Sequence, residues 1–154
     1  MPHDLVAFAA VFFCGLALVP AAAHAMELPN KIRMTKDEYL VAQKLYRGWQ
    51  FMAPVVILAL LSTAILVVEA KGAGARSETA SIIAFLCIAA TQVVFWVFTF
   101  PVNRTTQNWT EAPAQWQRLR RKWEYSHASS AALNLVAFGA AVLAALWSSP
   151  VAPA

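Results

Sequence analysis

The sequence predicts an all-α protein, in which four transmembrane helices form a bundle and an amphipathic helix lies at the membrane interface between the third and the fourth. Of the 154 residues, 60% are hydrophobic and only 13% are charged, whereas soluble domains carry roughly a quarter charged residues. Four apolar runs are each long enough to cross a hydrocarbon core of roughly 30 Å, which takes about 20 helical residues. Helices are expected because an apolar segment in lipid must satisfy its own backbone hydrogen bonds.

The four predicted spans cover residues 5–23, 51–68, 79–101 and 128–147. Pro101 is predicted to end the third span, because a proline inside a helix removes a backbone hydrogen bond. The spans form one domain over residues 1–148. The small, proline-containing tail at 149–154 is predicted to be disordered.

The first loop contains a helix-start signal. Thr35 and Glu38 have the spacing of a capping box, in which each side chain bonds to the backbone of the other residue. Met34 and Tyr39 have the spacing of a hydrophobic staple across the same start. We expect this helix to continue into the second span, with a kink at Pro54.

The segment before the fourth span predicts the amphipathic helix. Pro113 breaks the preceding chain, and Trp116, Leu119 and Trp123 then recur at helical spacing. The other faces carry Arg118, Arg120, Arg121 and Lys122. Tryptophan and basic residues are both typical of the headgroup region, so this helix is expected to lie there.

The basic residues predict the orientation. Ten of the twelve Lys and Arg residues lie in the loops 24–50 and 102–127, which must share one side of the membrane if there are four spans. The excess of positive charge favours the cytoplasm, so both termini are expected outside a bacterial-type inner (plasma) membrane. Because the charges lie between spans, the net charge of +4 indicates topology control, and no nucleic acid partner is expected.

The first span also resembles a secretion signal. It ends in Ala23-His24-Ala25, which fits the small-x-small cleavage pattern. Residues 1–4, however, contain no Lys or Arg, whereas a signal peptide carries positive charge there. Cleavage would also force both basic loops outside. We therefore expect this span to be retained.

Candidate functional residues gather at the cytoplasmic ends of the spans, where helices of a bundle commonly form a ligand pocket. The expected catalytic residues are His24, Glu27, Asn103, Glu124 and His127, and the expected substrate-binding residues are Trp49, Arg104, Trp109 and Trp123. Ionisable residues at membrane depth are functional candidates in general.

Two histidine–carboxylate pairs suggest acid–base chemistry. His24 with Glu27, and Glu124 with His127, are three residues apart and share a helix face. A neutral histidine can take a proton from a substrate while the glutamate orients its ring. Asn103 or an arginine would then stabilise an oxyanion, and the tryptophans would stack on an aromatic substrate.

Two other interpretations of the same residues stay open. A single metal ion held by His24, His127 and a carboxylate is compatible with the residue types, although a di-iron site would need further glutamates that the sequence does not supply at this level. Alternatively, the glutamates form structural ion pairs with Arg47 or Arg104. No cofactor is otherwise expected, since the glycine-rich loops of nucleotide-binding proteins are absent from the sequence.

Two stretches of the chain are distinctive: Phe100-Pro101-Val102-Asn103-Arg104, followed by Trp109, and the run 116–127, with Trp123 and His127. They resemble the anthrone-oxygenase-like family, a group of small four-helix membrane proteins. The segments 24–29 and 46–49 are also similar, so the resemblance covers nearly the whole chain.

The resemblance implies a fold of four transmembrane helices. It also implies cofactor-free oxidation of an anthrone to an anthraquinone by molecular oxygen, with Asn103, Trp109, Trp123 and His127 as the matching residues. Two hypotheses follow. The chain is an enzyme acting on a hydrophobic aromatic or quinone-like molecule at the cytoplasmic interface, or it is a non-enzymatic accessory subunit or binder of a small hydrophobic ligand.

Overall fold

A computed structural model describes residues 3–148 of the chain. The helices are α1 (His3–Lys31), α2 (Lys36–Gln43), α3 (Ala53–Glu69), α4 (Ala75–Val94), α5 (Phe100–Thr105) and α6 (Trp116–Ser148). A π-helical turn at Phe95–Thr99 joins α4 to α5. The predicted disordered tail at 149–154 lies outside the described residues.

Four helical stretches are long and apolar enough to span a membrane. They are Asp4–Lys31, Trp49–Glu69, Ala75–Thr105 and Trp116–Ser148. The predicted all-α four-helix bundle is therefore confirmed, and the chain is a multi-pass membrane protein whose apolar helix faces suit contact with lipid. Each helical stretch extends beyond the apolar run that predicted it.

Small side chains allow the helices to approach one another closely. Helix α6 packs on α1 and α4, and α1 also packs on α3. The core in the middle of the bundle contains Cys14, Ala59, Ala84, Ile88, Ala137, Ala140 and Ala141. In lipid, close packing of small residues replaces the hydrophobic effect as the force between helices. Cys14 belongs to this core as a free thiol.

The third helical stretch does not end at Pro101, contrary to the prediction. Pro101 occupies the first turn of α5, directly after the π-helical turn Phe95–Thr99. A proline ring clashes with the carbonyl one turn earlier in a regular α-helix. Local widening of the helix is a common way to accommodate such a disruption, so the chain stays helical to Thr105.

The predicted interfacial segment is helical, but it is not a separate helix. Residues 116–127 form the first turns of α6, which continues without a break to Ser148. Pro113 precedes the helix and does not interrupt it. Arg120 and Trp123 point into the protein and are buried, so only part of this segment's surface faces headgroups.

The capping box is confirmed, but the helix that it starts is short. The Thr35 side chain accepts from the Glu38 amide, and the Glu38 carboxylate accepts from the Thr35 backbone. These hydrogen bonds lower the pKa of Glu38, so the box is intact at neutral pH and is lost as the pH falls through that pKa. Helix α2 ends at Gln43, and Pro54 lies in the first turn of α3, where proline is well tolerated.

We predict that the close approach of α1 and α6 depends on Gly15. A Cβ atom at Gly15 would lie 3.3 Å from the Phe138 ring. Gly15→Leu should therefore lower the free energy of unfolding in detergent by about 1–3 kcal/mol through overpacking. The measurement is denaturant unfolding followed by circular dichroism.

Gly139 supplies the control, because a Cβ atom there meets nothing within 4 Å. Gly139→Leu on the same pair of helices should leave the unfolding midpoint unchanged or raise it slightly, since glycine is a poor helix former. Equal destabilisation by both substitutions would contradict the proposed close contact.

Candidate functional site

A lysine lies buried at the C-terminal end of α1, between two carboxylates. Lys31 is only 2% exposed. Its Nζ atom lies 3.2 Å from Glu27 Oε2 and 3.2 Å from Glu124 Oε1. A buried ammonium group is tolerated only when it is paired and hydrogen-bonded, and both conditions are met here.

Two neutral groups complete the surroundings of the ammonium group. Lys31 Nζ donates to Tyr46 OH at 3.0 Å and lies 3.2 Å from His24 Nδ1. Tyr46 OH in turn donates to Glu27 Oε2. We call Lys31, Glu27, Glu124, His24 and Tyr46 the Lys31 cluster.

The Lys31 contact assigns the tautomer of His24. An ammonium group has donors only, so Nδ1 of His24 must present its lone pair to it. The proton of the neutral ring is then on Nε2. In this arrangement His24 Nε2–H is a hydrogen-bond donor, whereas the sequence suggested that the ring would be a base.

Helical periodicity explains why these residues meet. His24, Glu27 and Lys31 are spaced by three and four residues on α1, so their side chains project from one face. Glu124 and His127 do the same on α6, which packs against α1. The helices therefore bring the two predicted histidine–carboxylate pairs together.

Aromatic rings surround His24, which is 4% exposed. Its ring centroid lies 4.3 Å from that of His127 and 5.0 Å from that of Trp123. The rings of Tyr46 and Trp49 lie at 4.4 and 5.2 Å. An imidazole held among aromatic rings has little water around it, so its hydrogen bonds are stronger than in solvent.

Tyr39 supports the cluster from the short helix α2. Its OH group donates to Glu124 Oε1 at 2.9 Å, and the residue is completely buried. Burial and the neighbouring Glu124 charge raise the pKa of Tyr39 far above its ordinary value, so it stays a hydrogen-bond donor. The Trp109 ring packs edge-on against Tyr39, with centroids 4.9 Å apart.

Arg120 fixes the corner where α1 ends. Its NH1 atom donates to the carbonyl oxygens of Lys31, at 3.3 Å, and Met34, at 2.6 Å. The Lys31 carbonyl at the end of α1 has no partner within the helix, so a guanidinium group here satisfies it and complements the helix dipole, and the Met34 carbonyl ties the following turn to the same group. Arg120 also lies over the Trp116 ring, 4.6 Å from its centroid.

Asn103 acts through Trp123. Trp123 Nε1 donates to Asn103 Oδ1 at 2.7 Å, which fixes the indole beside the histidines. Arg104, the next residue, is exposed. Within residues 3–148 it makes no hydrogen bond or ion pair to the Lys31 cluster.

One edge of the Lys31 cluster is open to the outside. The side chain of Glu27 is 42% exposed, and Tyr46 and Trp49 are half-buried beside it. Nearby in sequence, three large apolar side chains are strongly exposed: Met26, Leu45 and Phe51. A hydrophobic molecule in the bilayer would meet an apolar surface that leads to a carboxylate.

The structure brings most, but not all, of the predicted site residues together. Of the nine expected residues, three belong to the Lys31 cluster, and His127, Trp123 and Trp49 contact its His24 ring. Asn103 and Trp109 are one contact further away, through Trp123 and Tyr39, and Arg104 makes no hydrogen bond or ion pair to the cluster within the described residues.

The sequence suggested that the glutamates would pair with Arg47, Arg104 or a histidine ring. In the described part of the chain they pair with Lys31 instead. The Glu27 pair is local, four residues apart on α1, whereas the Glu124 pair is a long-range contact between α1 and α6.

Sequence reasoning did not single out Lys31, Tyr39 or Arg120 as parts of the site. Lys31 was counted among the loop charges, yet its position four residues after Glu27 and seven after His24 places it on the same helix face. That spacing was the signal. Arg120 lies four residues after Trp116 and three before Trp123, and this spacing, which its basic neighbours lack, places it on the aromatic face of α6.

The geometry gives no support to a metal ion shared by the histidines. Among residues 3–148, no three His, Cys, Asp or Glu side chains are placed to hold one ion. The two imidazole planes lie at 30°, partly stacked, whereas two ligands of one ion must both point their ring nitrogens at it. The Lys31 ammonium group beside His24 would also repel a cation.

The fold and the site together define a class of protein: a multi-pass helical membrane protein with a buried polar site at one end of its bundle. No protein-family model, curated protein or solved structure matches the chain. The function must therefore be argued from the chemistry of the Lys31 cluster.

We predict that Lys31 holds the site together. Lys31→Met would leave the carboxylates of Glu27 and Glu124 without their cation, so the free energy of unfolding should fall by about 3–5 kcal/mol. Adding Glu124→Gln should recover part of the loss, because it removes one uncompensated charge. Denaturant unfolding in detergent measures both effects.

The exposed Lys44 offers a control. Lys44→Met should change stability by less than about 0.5 kcal/mol, as substitutions at exposed sites usually do. If Lys31→Met were as stable as the wild-type chain, the buried ion pairs would contribute nothing to the free energy of unfolding.

Arg120 should stabilise the corner at residues 31–34. Arg120→Met removes two hydrogen bonds from a charged donor, so we expect a loss of roughly 1.5–3 kcal/mol and faster amide exchange in residues 31–39. Hydrogen exchange with mass spectrometry checks the location. Arg118→Met, at an exposed position, should leave exchange in this segment unchanged.

Proposed function

We propose that the chain is a membrane enzyme of the anthrone-oxygenase type, which oxidises a hydrophobic phenolic aromatic molecule without a cofactor. The observation that carries this proposal is the Lys31 cluster, with its one buried cation and two carboxylates. The residues that match the family resemblance, Asn103, Trp109, Trp123 and His127, all pack in or against this region.

The charges of the cluster favour proton uptake. Two carboxylates face one ammonium group, so the cluster has one carboxylate more than its cation can neutralise. Of the two, only Glu124 is fully buried, and a negative charge there is costly unless a proton or a hydrogen-bond donor neutralises it. The cluster is therefore suited to accept a proton from a weakly acidic substrate, which is the first step of the proposed reaction.

The open edge suggests how the substrate is held. Glu27 is the carboxylate that an incoming molecule can reach, and we assign it the role of base. The rings of Tyr46 and Trp49 stand next to it, with centroids 4.9 Å apart, and would pack on the substrate's aromatic plane. His24 Nε2–H would donate to the oxyanion that develops on the substrate.

Glu124 lies on the inner side of Lys31 and has a different role. Its Oε1 atom accepts from Tyr39 and Lys31, whereas its buried Oε2 atom has no partner within residues 3–148. An acceptor of this kind can take the proton onward from Glu27 through the Lys31 ammonium group. Glu27 would then be free for the second deprotonation.

The proposed reaction balances with molecular oxygen alone. Glu27 takes one proton from the carbon opposite the substrate's carbonyl group, and the carbanion forms a C–O bond to O₂. The peroxide that results takes up the proton removed in the first step, which the cluster returns. Loss of the second C–H proton to Glu27 then breaks the O–O bond and leaves a quinone carbonyl, and the departing hydroxide takes up that second proton and leaves as water. The substrate is oxidised and oxygen is reduced.

The location follows from the charge pattern. The Lys31 cluster lies at the end of the bundle next to the two basic loops, which the positive-inside rule assigns to the cytoplasm. We therefore propose that the reaction occurs at the cytoplasmic face of a bacterial-type plasma membrane, on a substrate that enters from the lipid.

A second candidate function is a non-enzymatic binder or accessory subunit. It is favoured by the number of contacts that Lys31 already makes. The ammonium group has three N–H donors and four acceptors around it, which is also what a purely structural ion-pair network requires. Turnover of a substrate distinguishes the two functions.

The test is oxidation of anthrone by the purified protein in lipid nanodiscs under air. Anthraquinone formation and oxygen uptake are followed together. We expect one O₂ consumed per anthraquinone formed, and a fall of roughly 10²-fold or more in rate for Glu27→Gln, because a general base typically contributes about that much. Glu78→Gln, a carboxylate at the other end of the bundle, should keep the full rate.

Binding without turnover would favour the second function. It is measured as quenching of tryptophan fluorescence by anthraquinone, with Trp49→Leu expected to weaken the quenching. If anthrone is neither oxidised nor bound, or if Glu27→Gln oxidises it at the wild-type rate, the proposed enzyme is wrong.

A further inference from the structure

A groove on the outer surface of the bundle lies outside the Lys31 cluster. It runs between the third and fourth helical stretches and has a volume of about 470 Å³. Its lining combines two basic residues, two apolar residues and three hydroxyl-bearing residues. They are Val94, Phe98, Arg121, Lys122, Tyr125, Ser126 and Ser129.

The groove is polarised along its length. The two helices are antiparallel, so Phe98 lies beside Lys122, whose Nζ atom is 5.6 Å from the ring centroid. Arg121 and Ser129 are eight residues apart on α6, which is a distance of about 12 Å along the helix. One end is therefore basic and adjoins the polar loop, whereas the other end, at Val94 and Ser129, lies toward the middle of the span.

The two cations are available to a ligand. Arg121 and Lys122 are both exposed, and neither pairs with a carboxylate within residues 3–148. The neighbouring carboxylate on α6, Glu124, is on the opposite face, where it binds Lys31. Tyr125, which is 56% exposed, adds a phenol at the same end of the groove.

The apolar wall continues beyond the groove. Four consecutive large side chains of the π-helical turn are exposed on the outer surface: Phe95, Trp96, Val97 and Phe98. In a membrane such a surface faces acyl chains. A ligand in the groove would therefore have a negative headgroup at the basic end and a hydrocarbon chain that follows the apolar wall into the bilayer.

We propose that this groove is a binding site for one anionic phospholipid. The phosphate would lie between Arg121 and Lys122, and the first acyl chain would pass over Phe98 and Val94. Charge complementarity favours an anionic over a zwitterionic lipid, because each basic residue near the surface adds attraction to negative headgroups. The site is separate from the proposed catalytic edge at Glu27 and does not depend on the proposed function.

The experiment is native mass spectrometry of the delipidated protein in detergent, titrated with dioleoyl phosphatidylglycerol or dioleoyl phosphatidylcholine. The two lipids have the same chains and differ in headgroup charge. We expect one tightly bound phosphatidylglycerol, with affinity roughly tenfold or more above that for phosphatidylcholine.

Matched double variants locate the site. Arg121→Gln with Lys122→Gln should lower phosphatidylglycerol affinity by roughly tenfold or more, whereas Lys71→Gln with Arg76→Gln removes the same charge at the other end of the bundle and should not. Circular dichroism verifies that both variants fold. Equal binding of the two lipids, or equal losses in the two double variants, would overturn the proposal.

Discussion

The burial of one ammonium group between two carboxylates organises this end of the bundle. Lys31 is the last residue of α1, and its contacts with Glu27 and Glu124 join that helix to α6. Isolated charges are not tolerated at such depth. Burial of Lys31 therefore requires a tightly packed corner, which α2 and Arg120 provide through Tyr39 and through the last carbonyls of α1.

This requirement connects the packing of the bundle to its chemistry. Small residues in the middle bring α1, α3, α4 and α6 close together, while the buried Lys, Arg, Glu and His residues lie together at one end. There the side chains of Lys31, the two glutamates and His24 share hydrogen bonds among aromatic rings. A region with few waters strengthens these interactions.

The two faces of α6 make different contacts. One face carries Glu124 and His127 toward α1, and the other presents Arg121, Lys122 and Tyr125 to the groove beside Phe98. Because a helix repeats every 3.6 residues, neighbours in sequence point in different directions. A single segment that appears simply basic and aromatic thus serves both a buried site and a lipid-facing surface.

The sequence by itself determined the four spans, the capping box at Thr35 and Glu38, and the residue types at the end of the bundle that carries the Lys31 cluster. These follow from hydrophobic run length and local spacing, which act over one or two helical turns. Only the tertiary structure decided that Glu124 also binds Lys31, that Arg120 binds the carbonyls of the corner at 31–34, and that the helix continues past Pro101. Those outcomes depend on helix rotation and on contacts between residues far apart in the chain, such as Arg120 with Met34 and Tyr39 with Glu124. Local spacing places side chains only within one helix, as it does for Glu27 and Lys31.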